Sequence, residues 1–413
     1  MGAKMKTLFL LRSLSHYSYI ESVVDHLQDV NFLVDKQWSK GQKDIHYLFL
    51  SHRLNKKFIQ LNREIKNWLS YIGRNQSVYY EKRWRSYLPF WADLFRLKSV
   101  QKLLVSEDSI CPDDNIVRQL KFQSPDVVVA TPCNHRFSNE IEYIKAAKSL
   151  GIPTVIITLS WDNLTTKGLF HVVPDVLCVW SESQKKEAME IHGIPEKNIV
   201  ITGSPFFDKW IQPNFIDDEV SFKNNVGIHY AKRYCLYLGS SSKIAENETW
   251  LINHLKEVLD IDIVARPHPA NKRHFKDLPV TVFPENPKLP ETYWEKKELY
   301  NSIYHSEFVI GVNTSAMIDA IMIGKPCIAL MSKEYEDTQE NATHFKHMKN
   351  AMYISPLEDV ECLARRILNG YDNMEAAREK FVKDYIHPYG PAGKNVADAI
   401  VSQCHSGANQ TSL

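Results

Sequence analysis

Several short segments of this 413-residue chain gather side chains that bind anions or move protons. Arg266-Pro-His-Pro269 follows a short apolar run, 262–265, that reads as a β-strand. The two prolines keep the backbone around His268 extended and stiff. That fixes the imidazole at a strand end, where open α/β sheets bind ligands. From there it can hydrogen-bond a phosphate oxygen and help a phosphate leave, with Arg266 adding charge to the same task. The plainer explanation is a turn histidine between two prolines. Gly239-Ser-Ser-Ser242 follows another strand-like run, 234–238. Its small residues let backbone approach a ligand, and Ser240 and Ser241 offer hydroxyl and amide donors. Gly311-Val-Asn-Thr-Ser315 follows a third such run and leads into a helix. Thr314 and Ser315 at that helix start can donate to a pyrophosphate. Asp319, one turn further, can accept from ribose hydroxyls, or it is simply solvated beyond a capped helix start.

Leu159-Ser-Trp-Asp-Asn-Leu-Thr-Thr-Lys-Gly168 is dense in reactive side chains and also follows a strand-like run. Asp162 can take a proton from a hydroxyl as a general base. Trp161 can stack on a sugar face, and Asn163 and Lys167 can bind substrate oxygens. The competing explanation is a turn in which Asp162 caps the next helix. His16, in the loop after the first strand, is the rival base. Cys133-Asn-His135 follows another strand and can line the same region. His344 and His347 have the i,i+3 spacing of a metal pair, but no further ligands accompany them, so no metal site is expected.

These loops need a scaffold that brings strand ends together. Short apolar runs alternate with longer amphipathic ones, the mark of βαβ units around a parallel sheet. Strands are expected at 7–11, 126–130, 154–159, 175–179 and 198–202, with helices over 15–27, 138–150 and 182–191. A polar stretch at 212–225 breaks the pattern and reads as a linker. A second series follows, with strands at 234–238, 262–265, 308–310 and 327–330. Its helices are expected at 248–259, 298–305, 316–323, 359–369 and 374–385. The expected architecture is α/β, two Rossmann-like domains facing a central cleft. The first spans 1–215 with a helical insertion at about 51–110, the second 225–385, and a C-terminal motif and final helix occupy 386–405.

Composition narrows the class. Fifty Lys and Arg stand against 49 Asp and Glu, and 44% of residues are hydrophobic. That excludes a disordered chain, and 15 Gly exclude collagen. Seven Cys, an odd number with no CxxC pair, read as reduced thiols of a cytoplasmic protein. The N-terminal apolar run is too short for a signal peptide, and no stretch is long enough for a transmembrane helix. The neutral average argues against a nucleic-acid partner, but it conceals an asymmetry. Residues 51–102 hold 12 Lys and Arg against 3 Asp and Glu, interleaved with Trp68, Tyr71, Tyr79, Tyr80, Trp84, Tyr87, Phe90, Trp91 and Phe95. This suits peripheral contact with an anionic membrane, or a lipid-linked or charged glycan acceptor. Helices packing their aromatics inward would give the same composition.

The run Gly311-Val-Asn-Thr-Ser-Ala-Met-Ile-Asp-Ala-Ile-Met-Ile-Gly-Lys-Pro326 resembles the donor-binding helix of GT-B glycosyltransferases. Ile199-Val-Ile-Thr-Gly-Ser-Pro-Phe-Phe-Asp208 is similar to the end of their N-terminal domain, as also found in non-hydrolysing UDP-N-acetylglucosamine 2-epimerases. Arg266-Pro-His-Pro269 and Gly390-Pro-Ala-Gly-Lys-Asn395 resemble elements of CDP-glycerol glycerophosphotransferases, the former also the His-Pro element of sialyl- and Kdo-transferases that use CMP-sugars. The resemblance spans roughly 126–399. It implies a nucleotide-activated donor held by the second domain at His268, Ser240, Thr314, Ser315 and Asp319, the last standing where such enzymes often have Glu. It implies no separate cofactor and no catalytic metal. The expected function is a glycosyltransferase acting on a surface-glycan or lipid-linked acceptor, at the inner face of the membrane. A glycerophosphotransferase, a 2-epimerase and a non-catalytic binding protein are the alternatives.

Overall fold

The computed structural model describes residues 4–35, 56–73, 98–102, 104–134, 138–210, 215–242, 244–290, 292–335 and 348–408. The chain divides into two units, Met1–Asp208 with His387–Leu413, and Lys209–Ile386.

Unit 1 is built on a six-stranded parallel sheet in the order β2-β1-β3-β4-β5-β6. The strands are β1 (Lys6–Leu11), β2 (Asp29–Val34), β3 (Val127–Ala130), β4 (Thr154–Ile157), β5 (Val176–Val179) and β6 (Ile199–Ile201). Both faces of such a sheet are covered, which is why β3 is the unbroken apolar run Val-Val-Val-Ala and fully buried. Successive residues still alternate between faces. Leu8, Leu10, Val128 and Ala130 enter one core, and Phe9, Leu11, Val127 and Val129 the other. That second core is completed from the far end of the chain, by Val396, Ala397, Ala399 and Ile400 of the helix Ala392–Ala408.

The final helix is fastened by two segments singled out above, Ile199–Asp208 and Gly390–Asn395. The Asp208 carboxylate accepts from the N–H groups of Ala392 (3.0 Å) and Gly393 (2.5 Å), and the Asn395 amide donates to Thr202 O at 3.1 Å. Gly393 is required there, because a Cβ would fall 2.5 Å from Ser22 Oγ. From His387 onward the expected C-terminal segment therefore belongs with unit 1, and only Ile386 falls in unit 2. The unit boundary lies at Asp208, a few residues before the expected linker at 212–225, whose second half lies in the helix Glu219–Val226, N-capped by Asp218.

Unit 2 repeats the plan in the order β12-β11-β10-β7-β8-β9. Its strands are β7 (Tyr234–Leu238), β8 (Asp262–Arg266), β9 (Thr281–Val282), β10 (Val309–Gly311), β11 (Cys327–Met331) and β12 (Tyr353–Pro356), all parallel. The strand order reverses between β10 and β7, so loops from the carboxyl ends of those neighbours meet there. The strands that the sequence pattern leaves out, β2, β9 and β12, all lie at sheet edges. An edge strand is partly solvated and needs no continuous apolar run. Among the described residues, no helix is long and apolar enough to cross a membrane.

Candidate functional site

The three loops of unit 2 converge on Ser240. Its N–H donates to Glu248 Oε2 at 2.8 Å, its Oγ accepts from Asn313 N at 3.3 Å, and its carbonyl accepts from the Asn271 amide at 3.3 Å. The loops after β7, β8 and β10 are thus tied to one another through a fully buried serine. The sequence placed Ser240 on the ligand, whereas its burial makes it the tie between the loops, with the half-buried Ser241 beside it. Close approach requires the glycines. A Cβ on Gly239 would stand 2.9 Å from Phe275 and 3.0 Å from His268 N, and one on Gly311 would stand 2.5 Å from Leu238 O.

His268 is half-buried at this junction. Its Nδ1 accepts from Ala270 N at 3.1 Å, which leaves the ring proton on Nε2. Burial lowers its pKa. The group on offer is therefore a neutral imidazole with an Nε2–H donor, suited to an oxyanion. Thr314 is half-buried and Ser315 exposed at the start of the helix Ala316–Ile323. The Ser315 hydroxyl makes no capping bond to that helix.

Arg266 and Asp319 differ from expectation. The Arg266 side chain is 8% exposed and donates to Glu298 at 2.9 Å. Asp319 is buried next to the same guanidinium, and burial raises its pKa to about 7 although Arg266 opposes the rise. A buried guanidinium between two carboxyl groups joins β8 to the helices Tyr293–Tyr304 and Ala316–Ile323, and it is not presented to a phosphate. Sequence reasoning also missed Glu248 and Asn313. Glu248 is fully buried and lifted to about 7 by burial, against donors on Ser240 and Tyr237. Asn313 is 1% exposed, and its side-chain amide makes no hydrogen bond among the described residues. Asn313 lay inside the quoted motif, but no local pattern marks an amide as buried.

In unit 1, the loop after β4 is organised by Asn163. Its side-chain oxygen accepts from Leu159 N (2.8 Å) and Ser160 N (2.7 Å), and its carbonyl accepts from the Asn134 amide at 2.7 Å. Asn163 thus closes the loop, and a residue 3% exposed is not placed to bind an acceptor. Trp161 is also 3% exposed, and a buried indole offers no open face to a sugar. Asp162 stands at the N-cap position of the short helix Asn163–Thr166, yet its side chain makes no capping bond. Its carboxylate accepts from the Ser160 hydroxyl and lies 3.8 Å from Lys167 Nζ. These two polar side chains remain at least a fifth exposed.

The helix Lys56–Gly73 supports this loop from the basic, aromatic segment. Asn67 accepts from Leu169 N at 2.7 Å, and a Cβ on Gly168 would fall 2.7 Å from Asn67 Nδ2. Trp68 and Tyr71 are buried, and Arg63 is paired with Glu107 and Glu142, so this part of the segment packs inward. Its exposed residues include Phe58 and Leu61. Tyr79, Tyr80, Trp84, Tyr87, Phe90, Trp91 and Phe95 lie outside the described residues, as do His135, His344 and His347.

His16 ends the short turn Leu14–His16 after β1, with Nδ1 2.8 Å from Thr131 Oγ1. Burial and the Arg12 charge depress its pKa to about 4. Beside it stands Arg12, after β1, and around that guanidinium stand Asp35, after β2, and Glu140, at the start of the helix Glu140–Ser149 beyond β3, none of them nominated above. Asn139 donates to Asp35 at 2.7 Å, and burial raises the pKa of Glu140. This cluster sits at the carboxyl ends of β1 and β3, where the strand order of unit 1 reverses.

No protein-family model matches the chain, and no curated protein matches it in sequence. Solved structures match it over nearly its full length. A UDP-N-acetylglucosamine 2-epimerase is 13% identical at TM-score 0.55, covering 98% of this chain and 97% of the other. The UDP-GlcNAc 2-epimerase of Methanocaldococcus jannaschii is 13% identical at 0.54, with 96% and 100% covered. The MnaA protein of S. aureus, solved with UDP, is 10% identical at 0.53, with 97% of each chain covered. At these identities the likeness concerns the fold. The chain has the GT-B fold, two α/β units each built on a parallel six-stranded sheet.

Proposed function

We propose that this chain is a GT-B transferase that moves a sugar from a nucleotide-activated donor to a surface-glycan or lipid-linked acceptor, without a catalytic metal. The observation that carries the reading is the junction of three strand-end loops on Ser240, with His268 presenting an Nε2–H beside it. Donor phosphate oxygens would accept from His268 and from the Thr314 and Ser315 hydroxyls. Negative charge grows on the phosphate as its bond to the sugar breaks. Donors already fixed in place stabilise that charge without having to reorganise. Unit 1 would bind the acceptor and supply the base, Asp162 or His16.

A binding screen over CMP, CDP, UDP, GDP and their sugar or glycerol conjugates tests the donor site. A true donor raises the melting temperature by mass action, and His268→Ala should abolish that rise. Stabilisation by a donor that survives His268→Ala would sink the assignment. Cytidine conjugates are favoured by the His-Pro element, and uridine conjugates by the neighbour solved with UDP. A CDP-glycerol response would favour the glycerophosphotransferase form of the same reading. The full-length likeness to 2-epimerases supports a second reading. Incubation with UDP-N-acetylglucosamine alone separates the two, since epimerised product without any acceptor refutes the transferase.

A further inference from the structure

Two buried amides of unit 2 are tied to Ser240, and both leave hydrogen-bonding atoms unused. Asn313, after β10, is 1% exposed, and its backbone N–H donates to Ser240 Oγ. Neither Oδ1 nor Nδ2 of its side chain has a hydrogen-bond partner among the described residues. Asn271, after β8, is equally buried; its Nδ2 donates to Ser240 O and, at 2.9 Å, to Ala245 O, while its Oδ1 is again without a partner. Burying a polar group without partners costs stability, and native interiors hold few such groups. We propose that Asn313 is a specificity residue of unit 2 whose amide finds its partner in a hydroxyl of the nucleotide-activated donor. The ligand rests on the donor-site reading above; the unsatisfied amide does not.

The unused atoms select the chemistry of the ligand group. Asn313 Oδ1 and Asn271 Oδ1 can only accept, and the Asn313 NH2 can only donate. A phosphate oxygen would take a bond from the NH2 and leave both oxygens unpaired, with its negative charge beside them. A hydroxyl gives its proton to Oδ1 and accepts from Nδ2, so it suits both ends of the amide. Position favours the same group. Asn313 directly precedes Thr314 and Ser315, the hydroxyls offered to phosphate. In a nucleotide-activated donor the ribose and the transferred group flank the phosphates, whereas the base lies a ribose further away. The unliganded chain covers the amide, so donor entry must shift the loop or turn the side chain. An exposed amide would first give up bonds to water, which reduces the net gain of a new hydrogen bond. Asn313 has no such bonds to give up, so more of the gain reaches the affinity.

The test begins with urea unfolding of the unliganded, full-length chain. Asn313→Ala and Asn271→Ala delete the same atoms from equally buried positions, so the difference between them reports the hydrogen bonds lost. Asn313→Ala should lower the midpoint clearly less than Asn271→Ala does. An equal or larger fall for Asn313→Ala overturns the proposal, since its amide then has structural partners. Calorimetric titration of the native chain and Asn313→Ala follows, with UDP, CDP, a UDP-sugar, CDP-glycerol, the 2′- and 3′-deoxy forms of UDP and CDP, and pyrophosphate. The variant should bind the preferred conjugate roughly tenfold more weakly or worse, and pyrophosphate as the native chain does. If the hydroxyl is on the ribose, one deoxynucleotide should lose the same factor on the native chain and nothing further on the variant. If it is on the transferred group, free nucleotide should bind both proteins equally and only the conjugate should weaken. Pyrophosphate weakened as much as the conjugate, or a conjugate bound equally by both proteins, refutes recognition of a hydroxyl. A native chain that binds none of these ligands refutes the donor reading and the ligand role with it, whereas the unfolding comparison needs no ligand and judges the amide alone.

Discussion

Glu248 gives a pH dependence whose sign is opposite to that of an ordinary salt-bridged carboxylate. It precedes the helix Thr249–Val258, is fully buried, and receives Ser240 N–H at 2.8 Å and the Tyr237 hydroxyl at 3.2 Å. Burial lifts its pKa from 4.5 to about 7, despite those donors. Between these values the folded chain holds a proton that the unfolded chain has lost. Stability is therefore full below about pH 4.5 and is lost as pH rises through about 7. At about 1.4 kcal/mol per pKa unit, the span from 4.5 to about 7 corresponds to about 3 kcal/mol. Glu248→Gln keeps an oxygen for Ser240 N–H and removes the titration. Urea unfolding of both proteins at about pH 5 and about pH 8 should show the native chain losing about 3 kcal/mol relative to the variant. Asp319, also raised to about 7 by burial, is common to both and cancels in the difference. A difference that does not change with pH, or a native chain that gains on the variant as pH rises, would refute the reasoning. The same ionisation strengthens the bond to Ser240, so it also bears on how firmly the three loops are held.

Two further substitutions probe the same junction. Gly311→Ala places a Cβ 2.5 Å from Leu238 O, a backbone atom that cannot step aside, and should cost about 1–3 kcal/mol in denaturant unfolding together with the donor-induced rise in melting temperature; unchanged stability would show that β10 and β7 are not so closely apposed. Arg266→Met strips the cation from buried Asp319 and from the one-third-exposed Glu298 and should destabilise by no more than about 3–5 kcal/mol, since Glu298 keeps access to water, with part recovered by adding Asp319→Asn. Loss of donor binding at full stability would instead place Arg266 on the ligand.

Much of the scaffold was legible because its information is local. The interior strands, such as Tyr234–Leu238, announce themselves as apolar runs, since a parallel sheet covered on both faces must be apolar at every position. The helix Ala316–Ile323 was equally plain, bounded by a hydroxyl pair and Gly324, whose φ of 87° serves as its left-handed stop. Three of the four edge strands, Tyr353–Pro356 among them, were not legible, because a half-solvated strand carries a mixed pattern.

Within the candidate site, the sequence by itself determined which loops place Gly, Ser, Thr and His at strand ends, since those residues are recognisable without coordinates. The tertiary structure alone decided what each side chain does there. It turned Ser240 from a ligand contact into the tie between loops, and Arg266 from a phosphate clamp into a buried partner of Glu298. It also brought Asp208 to Gly393, and Thr131 to His16. Residue type and spacing record how exposed a segment is on average. Burial, proton position and pKa depend on atoms more than a hundred residues away in the chain for the last two pairs, and only folding brings those atoms within hydrogen-bonding distance.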